Sequence, residues 1–164
     1  MNNLYILCGI PGCGKSTYVR KLMSENSSSI DLKWDCVSRD KVRFSMVREE
    51  DDYFSKEKQV FNEFVRQLAV RLDDPYITNV IADATHISIA SRTKLINAIN
   101  HIRGNKPLNV IMVYFDIPLE VCKFRNAKRS GRERVPDEVL EKMWHAKEFP
   151  RNRAELTRIE IVRD

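Results

Sequence analysis

No stretch of the 164-residue chain approaches the roughly 20 consecutive apolar residues of a membrane-spanning helix. The amino terminus also lacks a charged region leading into a signal-peptide core, so the expected compartment is the cytoplasm, with no membrane partner. Cysteine is sparse: Cys8, Cys13, Cys36 and Cys122 form no CxxC pair and have no Cys/His ligand spacing. That leaves no indication of a zinc site or a disulfide framework, and four free thiols are expected. Internal repeats and low-complexity tracts are absent as well, which argues against a solenoid or a disordered tail.

Glycine is scarce too, and its placement is informative. Of five glycines, three fall within six residues, at Gly9, Gly12 and Gly14. They belong to Gly9-Ile10-Pro11-Gly12-Cys13-Gly14-Lys15-Ser16-Thr17, which satisfies GxxxxGK[ST] and directly follows the apolar run Leu4 to Cys8. Such a loop wraps a polyphosphate with its backbone N–H groups, and side chains there would obstruct the approach. Lys15 is expected to meet the terminal phosphates and the Ser16 hydroxyl to ligate Mg²⁺. The positive end of the following helix favours the anion further. Gly9, Gly12, Cys13, Gly14, Lys15, Ser16 and Thr17 are therefore the candidate nucleotide-binding residues, with ATP or another triphosphate as ligand. Cys13 stands out as a thiol inside this loop, open to oxidation if exposed.

The remaining composition, 43% hydrophobic and 31% charged, suits one globular domain spanning residues 1–164. Short apolar runs alternate with amphipathic stretches, which predicts an α/β fold with a mostly parallel sheet. The predicted strands are 4–8, 34–38, 79–83, 109–115 and 158–162, and the predicted helices 15–25, 40–47, 56–73, 88–102, 119–129 and 137–149. Phe61, Phe64, Val65, Leu68 and Leu72 recur at helical spacing and read as core. The polar stretch Ser24 to Ser29 reads as a surface loop and Arg48 to Ser55 as an acidic connection.

Net charge is +5, and between Lys123 and Arg134 six cations face one anion, which equals the entire excess. So concentrated a block points to a local anion site rather than a general nucleic-acid coat. Arginines on a mobile segment, with Gly131 for flexibility, would stabilise the charge of a moving phosphoryl group, so residues 125–135 are read as a lid. Two further candidates sit at predicted strand ends, where an open parallel sheet places its ligand crevice. Asp40 could take a proton from an acceptor hydroxyl, and Arg43, one turn later, could hold an anionic group beside it. Asp40 would equally serve as a helix cap. After the third strand come Asp83 and Thr85, the first placed to order metal-bound water or neighbouring groups, the second to line an acceptor site. His86 alone is read as a satisfied histidine with no role in the chemistry.

Taken together, Gly9 to Thr17, Ser38-Arg39-Asp40 with Arg43, Asp83-Ala84-Thr85, Arg125-Asn126 with Lys128-Arg129, and Val135-Pro136 before a helix resemble the kinase domain of phage-type polynucleotide 5′-hydroxyl kinases, within the wider P-loop kinase group. The resemblance covers nearly the whole chain. It implies a central parallel sheet ordered 2-3-1-4-5 and an ATP- and Mg²⁺-dependent transfer to the 5′-hydroxyl ends of DNA or RNA. By position it implies Asp40 as general base, Arg43 on the acceptor's adjacent phosphate, Arg125 and Arg129 on the donor phosphates, and Asp83 beside the acceptor. Many phage relatives also carry a phosphatase domain with a DxDGT-type motif, which is not found here. The pattern grades into kinases of small hydroxylated molecules, and a nucleotide-gated binding module is a further alternative.

Overall fold

A computed structural model describes residues 1–28, 30, 33–151 and 156–164. Its centre is a parallel five-stranded sheet of β1 (Asn2–Cys8), β2 (Trp34–Ser38), β3 (Asn79–Asp83), β4 (Leu108–Phe115) and β5 (Arg158–Val162), ordered β2-β3-β1-β4-β5. The order is the expected one. Residues Leu4 to Cys8 of β1 and Val110 to Phe115 of β4 are buried, which is why the inner strands read as unbroken apolar runs. Asn2 to Cys8 pair in register with Leu108 to Tyr114, and Ser38 pairs with Asp83 at the opposite side of the sheet.

The period-two alternation of β1 divides the core. Leu4, Ile6 and Cys8 face a layer that contains α3 (Glu57–Leu72) and α4 (Ile89–Arg103), through Val60, Phe64, Leu68, Leu95 and Ile99. Tyr5 and Leu7 face the other layer, formed with α1 (Lys15–Glu25), α5 (Leu119–Ala127) and α6 (Asp137–Ala146). The stripe of Phe64, Val65, Leu68 and Leu72 is core, as its spacing predicts. Between β2 and α3 lies the short α2 (Arg39–Met46), whose first turn is capped by the Ser38 hydroxyl accepting from the Lys41 N–H at 3.3 Å.

Two helix ends differ from the sequence reading by more than one residue. The helix expected to reach Arg129 stops at Ala127: the N–H groups of Lys128 and Arg129 turn to the carbonyls three residues back, of Arg125 (3.2 Å) and Asn126 (3.0 Å), and the Asn126 side-chain amide holds the chain that follows, donating to the Val135 carbonyl and accepting from the Val135 N–H. The helix expected to reach Phe149 stops at Ala146. Lys147 is extended, the Glu148 N–H donates to the Ile87 carbonyl at 2.7 Å, and Phe149 precedes Pro150, which disfavours helix. The stretch read as a loop from Ser24 is still helical through Glu25; of the rest, Ser29 lies outside the described residues.

Candidate active site

The loop between β1 and α1 is held in shape before any ligand arrives. Its first N–H, on Gly9, donates to the Thr85 carbonyl at 2.9 Å, so the loop is tied to the segment following β3. Gly12 and Gly14 have φ of 83° and 98°, the left-handed region that L side chains rarely adopt. At Gly12 a Cβ would also lie 2.4 Å from the Cys122 carbonyl oxygen, because the loop is packed against α5. Helix α1 begins at Lys15 with no side-chain cap, leaving its first-turn N–H groups directed at the loop's concavity. The Lys15 ammonium donates to the carbonyls of Gly9 (2.8 Å) and Ile10 (3.0 Å). Ser16 and Thr17 are exposed on the first turn, and Thr17 accepts from Arg20 at 3.3 Å.

Cys13 is buried, with its sulfur 3.7 Å from the Lys15 ammonium. Burial pushes the Cys8 and Cys122 thiols up to about 11 and that of Cys36 up to about 12, which keeps them protonated.

Across the crevice, α2 presents Asp40 with 63% of its side chain exposed. One of its oxygens, Oδ1, accepts from Arg43 at 2.7 Å and from the Tyr53 hydroxyl at 2.9 Å. Among the described residues Oδ2 accepts from nothing and is left open. Arg43 stands beside Asp40, as the one-turn spacing predicts, but it does not project into solvent. Its side chain is 7% exposed, and it donates to Glu57 at 2.8 Å as well as to Asp40 and Tyr53. Glu57 in turn accepts from Arg39 at 3.0 Å. Tyr53 is half-buried, and burial together with the Asp40 charge raises its phenol to about 12, so it remains a donor.

Asp83 closes β3 beside the start of α2. Burial raises its carboxyl above the usual range, the Lys15 ammonium opposes that shift, and the Asp40 charge adds to it, so the three groups share one electrostatic neighbourhood. Thr85 contributes its carbonyl to the loop, as described. His86 is buried, with Nδ1 2.9 Å from the Leu7 carbonyl and its own carbonyl accepting from Arg92 at 2.6 Å. It buttresses the segment rather than facing the crevice.

The basic segment covers the loop from the α5 side. An Arg125 guanidinium nitrogen lies 3.3 Å from where a Gly14 Cβ would stand, and the same side chain pairs with Asp164 at 3.0 Å. Arg129 follows the end of α5, has no hydrogen-bonded side-chain partner among the described residues, and lowers the Asp83 carboxyl through space. In the sequence Arg132 is one cation of the basic segment read as a lid. It crosses to α2, donating to the Val47 carbonyl at 2.7 Å and lying 4.0 Å over the Phe44 ring. The basic segment is thus fastened to α2.

A glycine-rich loop followed by a helix with no side-chain cap, a lysine held on the loop's own carbonyls, and a carboxylate with one oxygen free of donors among the described residues all lie at the carboxyl edge of one sheet. The family model described as an AAA domain matches residues 4–150. The chain belongs to that family. This AAA domain has the P-loop kinase fold and its nucleotide-binding loop. Among solved structures it is similar to Chaetomium thermophilum Kti12 in complex with ADP-AlF3, at 18% identity and TM-score 0.69, over 98% of this chain and 88% of that one. It is similar to a chain of the Pnkp1/Rnl/Hen1 RNA repair complex at 26% identity and TM-score 0.70, over 88% of this chain and 43% of that one. A sugar kinase from Janibacter sp. matches at 17% identity and TM-score 0.62, over 99% and 86%. The likenesses to Kti12 and the sugar kinase are of fold alone.

Proposed function

We propose that the protein transfers the γ-phosphoryl group of ATP to the 5′-hydroxyl of a polynucleotide, DNA or RNA. The observation that carries this reading is the division of labour at Asp40: Oδ1 is saturated by Arg43 and Tyr53, while Oδ2 is free to accept a proton. A loop that merely sensed nucleotide would need no such group. The likeness to a chain of an RNA repair complex supports a nucleic-acid acceptor.

In this reading the N–H groups of Gly12 to Ser16 receive the phosphates, and Lys15 leaves the Gly9 and Ile10 carbonyls for the β- and γ-phosphate oxygens. The Ser16 hydroxyl is an exposed hard-oxygen donor at the helix start, and the Asp83 carboxylate stands nearby as a candidate to orient metal-bound water. That donor set suits Mg²⁺, which keeps most of its ligands as water and phosphate. The metal would supply neutralisation of phosphate charge. Arg125 over the loop and Arg129 near Asp83 would balance charge on the moving group, which catalysis of this type requires more than covalent chemistry. Arg43 orients Asp40 in the present arrangement. Its contact with an acceptor phosphate, and that of Thr85 with the acceptor, are parts of the same proposal.

Labelled phosphate should pass from ATP to a 5′-hydroxyl oligonucleotide, and Asp40→Asn should slow it by about 10²- to 10⁴-fold while leaving nucleotide binding in place. Transfer surviving intact in Asp40→Asn would remove Asp40 from this role. A second reading, a kinase of a small hydroxylated molecule, draws on the sugar-kinase likeness. It predicts that a nucleoside 3′-monophosphate is no better an acceptor than the nucleoside.

A further inference from the structure

The connection from α2 to α3 is the acidic segment that sequence reading assigned no role. It is a built loop: Asp52 accepts from the N–H groups of Phe54 (2.9 Å, side chain) and Ser55 (3.0 Å, carbonyl), and the Lys56 ammonium donates to the Met46 carbonyl at 2.8 Å. It carries two adjacent aromatic rings to the rim of the crevice. Tyr53 and Phe54 meet nearly perpendicular, at 79° and 4.8 Å between centroids, and Phe44 meets Tyr53 at 6.3 Å. The Arg43 guanidinium lies 4.5 Å from the Tyr53 centroid and 5.8 Å from that of Phe54.

Phe54 is 63% exposed. Phe124 and Phe149 are also exposed, but Phe124 is covered by the Lys128 ammonium at 4.2 Å and Phe149 leans on Tyr114 at 5.0 Å. Phe54 touches an aromatic neighbour that is itself hydrogen-bonded to Asp40. Through Tyr53, whose hydroxyl meets Asp40 Oδ1 at 2.9 Å and whose ring lies 4.8 Å from that of Phe54, the open phenyl surface adjoins the carboxylate proposed as base. A flat apolar ring, backed by aromatics and a guanidinium, is the surface on which nucleobases stack without sequence preference.

We propose that Phe54, supported by Tyr53, is the stacking platform for the first base of the acceptor strand, and so a determinant of specificity for nucleic acid over sugars. This rests on the polynucleotide reading above. The test uses two 5′-hydroxyl oligonucleotides, alike except that the first residue carries adenine or is abasic (tetrahydrofuran). The wild-type protein should prefer the adenine acceptor in kcat/KM by about 5- to 150-fold, the range that one stacked base provides. In Phe54→Ala that ratio should fall to about unity, through KM rather than kcat, and Phe54→Trp should restore it. An adenine-to-abasic ratio that is the same in wild type and Phe54→Ala overturns the platform, whatever the two rates are. Equal and efficient transfer to both acceptors by the wild type overturns the platform alone. No transfer to either acceptor overturns the polynucleotide reading and the platform with it.

Discussion

The Tyr53 hydroxyl donates to Asp40 Oδ1 at 2.9 Å, the same oxygen that Arg43 reaches at 2.7 Å. Two donors on one oxygen hold the carboxylate in place and leave the other oxygen without a protein donor among the described residues. Asp40→Asn, which removes the basic oxygen but keeps the shape, should lower kcat by about 10²- to 10⁴-fold, the usual contribution of a positioned base. Tyr53→Phe removes one of the two donors and should lower kcat by about tenfold at most, with KM for ATP unchanged. Steady-state kinetics with both variants checks this; equal losses in the two would mean that Tyr53 does more than orient Asp40.

The phosphate loop is committed to its conformation by contacts with α5. Gly12→Ala combines a left-handed φ with a backbone oxygen 2.4 Å from the new methyl, and should cost more than about 2 kcal/mol and weaken nucleotide binding. Gly104→Ala is the control: it also has positive φ, but nothing stands within 4 Å of the added carbon, so it should cost about 1 kcal/mol and leave nucleotide binding alone. Urea denaturation and nucleotide titration of the two variants measure the difference.

Arg132 ties the basic segment to α2 across 85 residues of sequence. Arg132→Ala loses the bond to the Val47 carbonyl and the contact with Phe44. Amide hydrogen exchange should rise over 128–134 and at the C-terminal turn of α2, and remain unchanged in β1 and β4. Unchanged exchange in the lid would show that the Asn126–Val135 bridge alone holds it.

His86 makes stability depend on acid. Burial lowers its imidazole from 6.5 to about 4, so below pH 6.5 the unfolded chain binds a proton that the folded chain refuses. Its contribution is complete above pH 6.5 and is lost as pH falls through 4, in total about 3 kcal/mol. His86 has φ of 42°, which asparagine tolerates, so His86→Asn should flatten the stability profile between pH 6.5 and 4. Denaturation midpoints across that range test the slope; an unchanged slope in the variant would place the acid sensitivity elsewhere.

Much of this architecture is legible in the sequence because its signals are local. Leu4 to Cys8 and Val110 to Phe115 are unbroken apolar runs since both sheet faces are covered, and the glycine spacing announces the loop. The less legible parts depend on distant partners. Nothing near Arg43 reveals that Tyr53 and Glu57 will enclose its guanidinium. The periodicity of α6 does not show that Glu148 will be drawn to Ile87. Tyr53 and Phe54 have no helical or strand spacing, so an acidic connection was the natural reading of a segment that delivers aromatics to the site. Arg132 was visible only as charge, because its partner lies on another element.

The central claim is the acceptor. With ATP and Mg²⁺, the wild-type protein should be presented with a 5′-hydroxyl oligonucleotide, a nucleoside 3′-monophosphate, the free nucleoside and a panel of sugars, and phosphoryl transfer quantified for each. The account predicts the highest kcat/KM for the oligonucleotide, less for the 3′-monophosphate, little for the nucleoside and none for sugars. A sugar or free nucleoside phosphorylated as efficiently as the oligonucleotide, or more so, would contradict it.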